Sequence, residues 1–209
     1  MIKRLISFFA GDRSARGGVL VTSDQEHDEV FKRATDLISP LTKMHGRQDS
    51  FPEGRRQSLF SGIADLHAVT AYNPQNWAAF WFKGKAYQAL GNKDAAKREF
   101  QASFALEKQN PDVAREYGIS CSELGLVDEA VLAAKHALEL KPEDAGLKAN
   151  LALALLLAGK ISDAKETIAE SLKASPYDPI SKSVERVIGE VISGKRKQPR
   201  FVADLERSC

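Results

Sequence analysis

The sequence has few residues of the kinds that build disulfide scaffolds or metal sites. Among 209 residues there are two cysteines and four histidines. Cys121 and Cys209 form neither a disulfide framework nor a metal-ligand spacing. The histidines show no pairing with one another, with cysteine or with acids that suits zinc. We therefore expect no metal or other cofactor, and the cysteine usage favours a reducing, cytoplasmic location.

Long apolar runs and a strong excess of one charge are also missing. The longest apolar run, 151–159, is well short of the roughly 20 residues that span a bilayer. The formal net charge is +2, so no global field draws the protein to nucleic acid or to an anionic membrane. The opening MIKRLISFFAGD begins like a secretory signal, but its apolar part stops at Ala10. Residues 1–22 are predicted to be a flexible segment; membrane contact through it stays open but is not favoured.

The sequence shows no catalytic grouping. It has no phosphate-binding loop, and the adjacent acids Asp128 and Glu129 open a predicted helix, where they complement its dipole. The basic residues within 195–200 could contact nucleic acid or acidic lipid, although a solvated tail is the preferred interpretation because acids follow. We expect no enzymatic activity and no nucleic-acid partner.

A repeat with a period of 34 residues dominates the rest of the chain. It is marked by small residues at equivalent positions: Gly91, Gly125 and Gly159, and Ala96, Ala130 and Ala164. Glycine at the end of a helix permits a positive φ in a tight turn. The alanines permit two antiparallel helices to approach closely. The pattern therefore predicts consecutive helix pairs.

The segment 77–178 resembles three tetratricopeptide repeats, 77–110, 111–144 and 145–178. The residues that carry the resemblance are Phe80, Gly84, Tyr87, Ala96 and Phe100 in the first repeat, Tyr117, Gly118, Ala130 and Pro142 in the second, and Leu151, Ala152, Ala164 and Pro176 in the third. The resemblance implies an all-α fold, a right-handed α-solenoid of antiparallel helix pairs. The helices are expected at about 77–90, 94–107, 111–124, 128–140, 145–158 and 162–174.

Helical patterns also flank the repeats. The region 23–76 is predicted to hold N-terminal helices that include a degenerate repeat, with Ser23 starting one helix and Pro40 ending it near Ser39. A second helix is expected over 55–72, after an unusually long loop. Beyond the repeats we expect a helix at 179–193 that caps the open end, followed by a polar tail at 194–209.

The resemblance also places ten residues in a concave groove lined by the first helix of each repeat. These are Trp81, Lys85, Gln88, Arg115, Ile119, Ser122, Asn150, Leu153, Leu156 and Leu157. The three leucines are expected to form an exposed apolar patch, which is typical of a partner surface. Members of the family that capture the C-terminus of a chaperone use Lys and Asn in these positions. Ile119 stands where an Asn is needed, so that activity is not favoured.

The leading hypothesis is a non-enzymatic adaptor whose groove binds a peptide or helical segment of another protein, with the leucines as anchors and Trp81, Lys85 and Arg115 giving orientation. One alternative is a small secretion or assembly chaperone that holds an aggregation-prone client. Another is a membrane-associated assembly scaffold. A further one is self-masking, with Ile2, Leu5, Phe8 and Phe9 in the groove. The partner, the pathway and the oligomeric state stay open.

Overall fold

A computed structural model describes residues 19–42 and 55–205, and within these ranges the regular structure is helical, with no β-strand. The helices are α1 Asp24–Ile38, α2 Arg56–Tyr72, α3 Trp77–Ala89, α4 Lys93–Leu106, α5 Pro111–Leu124, α6 Val127–Leu140, α7 Ala145–Leu157, α8 Ile161–Ala174 and α9 Pro179–Ile192. Short 3₁₀ turns cover Ser39–Leu41 and Val202–Leu205. The all-α prediction is confirmed, and α3 to α8 each begin and end within one residue of the expected positions.

The chain forms two compact units that meet in sequence between Leu90 and Gly91. This boundary falls inside the first predicted repeat, 77–110, so the assignment of repeats as domains stays a prediction. Most of the segment 1–22 and most of the loop between the first two helices lie outside the described residues. The proposed masking residues Ile2, Leu5, Phe8 and Phe9 are among them.

The first unit has its core between α1, α2 and α3. Ser23 caps α1 as predicted, its side chain accepting a hydrogen bond from the Glu26 amide at 3.3 Å. The buried apolar side chains include Val30, Ala34 and Ile38 of α1, Leu59, Ile63, Leu66 and Val69 of α2, and Ala79 and Ala86 of α3. Gly62 brings α2 close to α1, because a β-carbon there would lie 2.7 Å from Cγ1 of Ile38.

The second unit contains α4 to α9, each packed against the next along the chain. Turns of a few residues join successive helices, which makes neighbours antiparallel. Helices α5 and α7 also contact each other, and they run in the same direction because α6 returns the chain between them. Gly118 of α5 lies where a β-carbon would be 3.4 Å from that of Ala133 on α6, as expected for a small residue at a close helix crossing.

Capping residues and glycines explain why the helices begin and end where they do. The N-caps with side chains that accept a backbone hydrogen bond are Ser23, Asn76, Asn92, Asn110, Asp144 and Asp178. Gly91, Gly125 and Gly159 have φ values of 75°, 72° and 74°. This positive φ confirms the reason for glycine in the repeated position.

The helix expected after Pro179 is confirmed as α9, which packs against α7 and α8 and buries Val184, Val187 and Ile188. Its role as a cap stays a prediction. Most of the described residues beyond α9 are exposed, as expected for a polar tail, but the chain also turns back toward α7 and α5. Pro199 is buried, and the Gln198 side chain donates to the backbone carbonyl of Leu156.

Candidate functional site

Three of the predicted groove residues lie on one face of α3 in the first unit. Trp81, Lys85 and Gln88 follow the i, i+4, i+7 spacing that places side chains on one side of a helix. The Lys85 ammonium donates to Oε1 of Gln88 at 2.9 Å and lies 5.8 Å from the Trp81 ring centroid. Trp81 also meets Phe82 edge to face, with ring centroids 5.1 Å apart. We call Trp81, Lys85 and Gln88 the α3 cluster.

The α3 cluster is more enclosed than a free groove wall would be. Trp81 is 6% exposed and Lys85 is 1% exposed, whereas Gln88 is half-buried. Nε1 of Trp81 and Nε2 of Gln88 are buried donors with no hydrogen-bond partner among the described residues. Leaving a buried donor unsatisfied costs roughly 1–3 kcal/mol. Both atoms are closed to solvent, so an acceptor oxygen of a ligand reaches them only if these side chains move.

The second unit presents its predicted groove residues on the neighbouring helices α5 and α7. Ile119 and Leu153 occupy equivalent positions, one repeat period apart, and both are half-buried. Asn150, also half-buried, lies one turn before Leu153 on α7. An apolar pair beside an amide can anchor a side chain and hydrogen-bond a backbone at the same time. We call Ile119, Asn150 and Leu153 the α5–α7 surface.

Arg115 is less available to a ligand than its sequence position suggested. Its Nη1 lies 2.9 Å from Oδ1 of Asp112, and its Nη2 lies 3.5 Å from Oε1 of Glu116. The side chain of Arg115 is 12% exposed and that of Glu116 is fully buried. Two acids of the same helix therefore offset the guanidinium charge, which reduces its attraction for a terminal carboxylate.

The expected exposed leucine patch is wrong for two of its three members. Leu156 is 0% exposed and Leu157 is 5% exposed, and Ser122 on α5 is buried as well. The physical reason is that α7 packs against α5, α6, α8 and α9, which leaves few of its side chains accessible. Leu153 alone of the three leucines stays partly accessible.

The second unit also contains a pocket of about 580 Å³ that the repeat pattern did not indicate. Residues of α4, α6 and the α7–α8 turn line it. The Lys108 ammonium lies 3.4 Å from the Phe104 ring centroid, and burial lowers the pKa of Lys108. His136 Nε2 lies 2.7 Å from the Lys108 carbonyl oxygen. Acidic and basic side chains both line the pocket, so its charge selects no single class of ligand.

Groups suited to binding a metal ion are not assembled in the described ranges. No set of three or more His, Cys, Asp or Glu residues within 19–42 and 55–205 could hold a metal ion. Cys121 is buried as expected, and burial raises the pKa of its thiol to about 11. A neutral, inaccessible thiol is a poor nucleophile at physiological pH. Within the same ranges no helix is both long enough and apolar enough to cross a bilayer.

Successive helix pairs of this kind define an α-solenoid built from short repeats. Residues 78–144 match a family model described as YpiA-like, C-terminal tetratricopeptide repeats. This match supports the resemblance to tetratricopeptide-repeat proteins that the repeat residues predicted.

Solved structures show the same fold at low sequence identity. A crystal structure of MamA is 14% identical with a TM-score of 0.65, over 85% of this chain and 91% of that one. YrrB, described as a TPR protein with an unusual peptide-binding site, is 16% identical with a TM-score of 0.66, over 84% of this chain and 82% of that one. The first TPR of Spaghetti (RPAP3), bound to the HSP90 peptide SRMEEVD, is 18% identical with a TM-score of 0.52, over 57% of this chain and 94% of that one.

Proposed function

We propose that this protein is a non-enzymatic, cytoplasmic adaptor that binds a peptide segment of a partner protein on the first helices of its repeats. The observation that carries the proposal is the α5–α7 surface. Ile119 and Leu153 occupy equivalent, partly exposed positions on two helices that contact each other. Two apolar positions on adjacent parallel helices offer a pair of anchor points to a ligand that crosses the helices.

The chemistry of this surface favours an internal apolar segment over a chain terminus. A terminal carboxylate needs uncompensated positive charge, whereas Arg115 is already held by Asp112 and Glu116. Asn150 supplies an amide that can donate to and accept from a peptide backbone. The ligand we propose therefore has two apolar side chains for Ile119 and Leu153, with its backbone hydrogen-bonded to Asn150.

The α3 cluster of the first unit supports the same class of function by a separate feature. The unsatisfied donors on Trp81 and Gln88 would be stabilised by acceptor oxygens. Peptide carbonyls are the acceptors that any polypeptide ligand brings. Within the proposal, the Trp81 and Gln88 side chains move to hydrogen-bond a partner's backbone, and the α3 cluster contributes little sequence preference.

Peptide binding by proteins of this fold agrees with the proposal. YrrB has a described peptide-binding site, and the RPAP3 repeat domain was solved with a bound HSP90 peptide. At 16% and 18% identity these structures establish the fold, and the binding residues of this chain are argued from its own surface.

The test measures peptide affinity at the α5–α7 surface. Peptides are selected from a random display library against the full-length protein, and their affinities are measured by fluorescence anisotropy. The double variant Ile119→Ser and Leu153→Ser should weaken binding by about tenfold or more, because truncating central apolar anchors removes most of the binding energy. Both positions are half-buried, so the variant should keep its helical circular dichroism.

The matched control is Leu132→Ser, which removes an exposed leucine from α6 instead. Its affinity for the selected peptides should equal that of the wild type. Equal binding by the wild type and the double variant would refute the proposal. Similar affinity for many unrelated apolar peptides would favour the client-holding chaperone over an adaptor.

A further inference from the structure

The segment after α9 is folded onto the second unit. We call residues 195–205 the tail segment. Arg196 fixes its beginning, since Nε of Arg196 lies 2.6 Å from Oε2 of Glu190 and its backbone amide donates to the Glu190 carbonyl at 3.1 Å. The bonds from Arg196 and Arg186 lower the pKa of the Glu190 carboxyl. Nη1 of Arg196 also donates to the Asp204 carbonyl at 2.8 Å, so one side chain ties both ends of the tail segment together.

The middle of the tail segment contacts the C-terminal ends of α7 and α5. Gln198 Nε2 donates to the carbonyl oxygen of Leu156, in the last turn of α7. The Phe201 ring lies against Gly125, the residue that ends α5. Asp204 Oδ2 accepts from the Arg200 and Phe201 amides at 3.0 and 3.1 Å, which holds this part of the chain in a turn.

The tail segment is basic in its first half, and it contacts two helix ends. The C-terminal end of a helix carries a partial negative charge from its unpaired carbonyls. The tail segment carries Lys195, Arg196, Lys197 and Arg200, and the Arg200 carbonyl oxygen lies 3.4 Å from the β-carbon position of Gly125 at one such end. Phe201 remains nearly half exposed, and Lys195, Lys197, Gln198 and Arg200 are exposed. Most side chains of the tail segment are exposed, so we expect its detachment to cost less free energy than unfolding of the repeats.

We propose that the tail segment is a built-in ligand of the α5 and α7 ends, and that a partner's segment of the same chemistry displaces it. That chemistry is a basic segment with an amide side chain for the Leu156 carbonyl and an aromatic ring, three residues later, for Gly125. The proposal rests on the proposed function, since the Leu156 carbonyl lies one turn beyond Leu153 of the α5–α7 surface. It makes the docked tail segment an autoinhibitory contact.

The test supplies the tail sequence as a separate molecule. A fluorescent peptide GKRKQPRFVADL, residues 194–205, is titrated with the full-length protein and with a full-length double variant, Gln198→Ala and Phe201→Ala. In the variant the surface is free, whereas the wild type's own tail competes. If the tail segment of the wild type is docked about 90% of the time, only about a tenth of the wild-type molecules can bind the peptide. The peptide should then bind the variant about tenfold more tightly than the wild type.

The control variant is Tyr177→Ala, which removes an exposed aromatic ring from the α8–α9 turn and leaves the tail segment intact. It should bind the peptide as weakly as the wild type. Equal affinity for wild type and double variant, or no binding to the variant, would overturn the proposal. This readout needs no partner peptide, so it fails or succeeds separately from the Ile119 and Leu153 experiment.

Discussion

The Phe201 ring fills the space that a β-carbon would need at position 125. A β-carbon built on Gly125 would lie 2.6 Å from Cε1 of Phe201. Gly125 also has a φ of 72°, which side-chain-bearing residues rarely adopt. Two separate constraints therefore require glycine at position 125. The turn needs a positive φ, and the Phe201 ring of the tail segment occupies the space of a β-carbon. Gly159 has a similar φ of 74° but no atom within 4 Å of its β-carbon position.

Gly125→Ala should release the tail segment, and Gly159→Ala should not. Both changes strain a left-handed turn and should lower the free energy of unfolding by about 1 kcal/mol. At Gly125 alone the new methyl group also displaces Phe201. Hydrogen exchange followed by mass spectrometry should show faster exchange of amides in 198–205 for Gly125→Ala. Equal exchange of these amides in the two variants would contradict the packing of Phe201 on Gly125.

Gly62→Ala should destabilise the first unit, because α1 and α2 are too close to admit a methyl group. The added β-carbon would lie 2.7 Å from Cγ1 and 2.9 Å from Cδ1 of Ile38, a fully buried side chain. Overpacking of a well-packed core costs about 1–3 kcal/mol. Thermal or urea unfolding should show this loss.

The matched control for Gly62 is Gly189→Ala in α9. Gly189 is helical and exposed, and its β-carbon position meets no atom within 4 Å. Alanine there should raise the free energy of unfolding by about 0.5–1 kcal/mol through helix propensity. A stabilising effect of Gly62→Ala would show that the α1–α2 contact is looser than described.

The repeat itself was predictable from the sequence because its determinants are local. Glycine, proline and asparagine fix the chain at helix ends, so the bounds of α3 to α8 follow from residues within a few positions of each end. The α1–α2 contact could be anticipated in part, since Val30 and Ala34 belong to a visible helical stripe. Its close approach at Gly62 depends on Ile38 of another helix, which no local pattern around Gly62 indicates.

The docking of the tail segment and the burial of the leucines were not predictable in the same way. The bond from Gln198 to Leu156 joins residues 42 positions apart, and nothing in the local pattern of 194–205 marks it. Helix α7 did carry a signal, since AGLKANLALALLL is apolar on most of its sides. A helix that is apolar all round is normally buried, which argues against three exposed leucines.

Asp65→Asn should destabilise the first unit through its pairing with Arg33. Nε and Nη2 of Arg33 each lie 2.8 Å from a carboxylate oxygen of Asp65, whose side chain is mostly buried. The hydrogen bonds to Asp65 raise the pKa of the Arg33 guanidinium. Asparagine removes the charge and one acceptor, and because Arg33 is half exposed we expect a loss of about 1–2 kcal/mol.

An exposed ion pair on α1, the helix that carries Arg33, provides the comparison for Asp65. Lys32 and Asp36 form an i, i+4 pair at 2.6 Å, with both side chains largely exposed. Asp36→Asn should change the free energy of unfolding by less than about 0.5 kcal/mol. Chemical denaturation of both variants measures the difference. If Asp36→Asn costs as much as Asp65→Asn, burial and bidentate geometry do not explain the contribution of Asp65.

Cys121 should resist alkylation in the folded protein well above neutral pH. Burial raises the pKa of its thiol from an ordinary value of 9.0 to about 11, so the nucleophilic thiolate is scarce at pH values that ionise an unfolded cysteine. In a Cys209→Ser background Cys121 is the sole thiol, and mass spectrometry after iodoacetamide treatment at about pH 9 reports it directly. Native protein should stay unmodified, whereas protein in concentrated guanidinium should be fully alkylated.

The stabilising effect of the neutral thiol is complete below about pH 9 and is lost as the pH rises through about 11, so unfolding should become easier over that interval. Rapid alkylation of the native protein would mean that α5 opens far more readily than its packing against α4 and α6 implies.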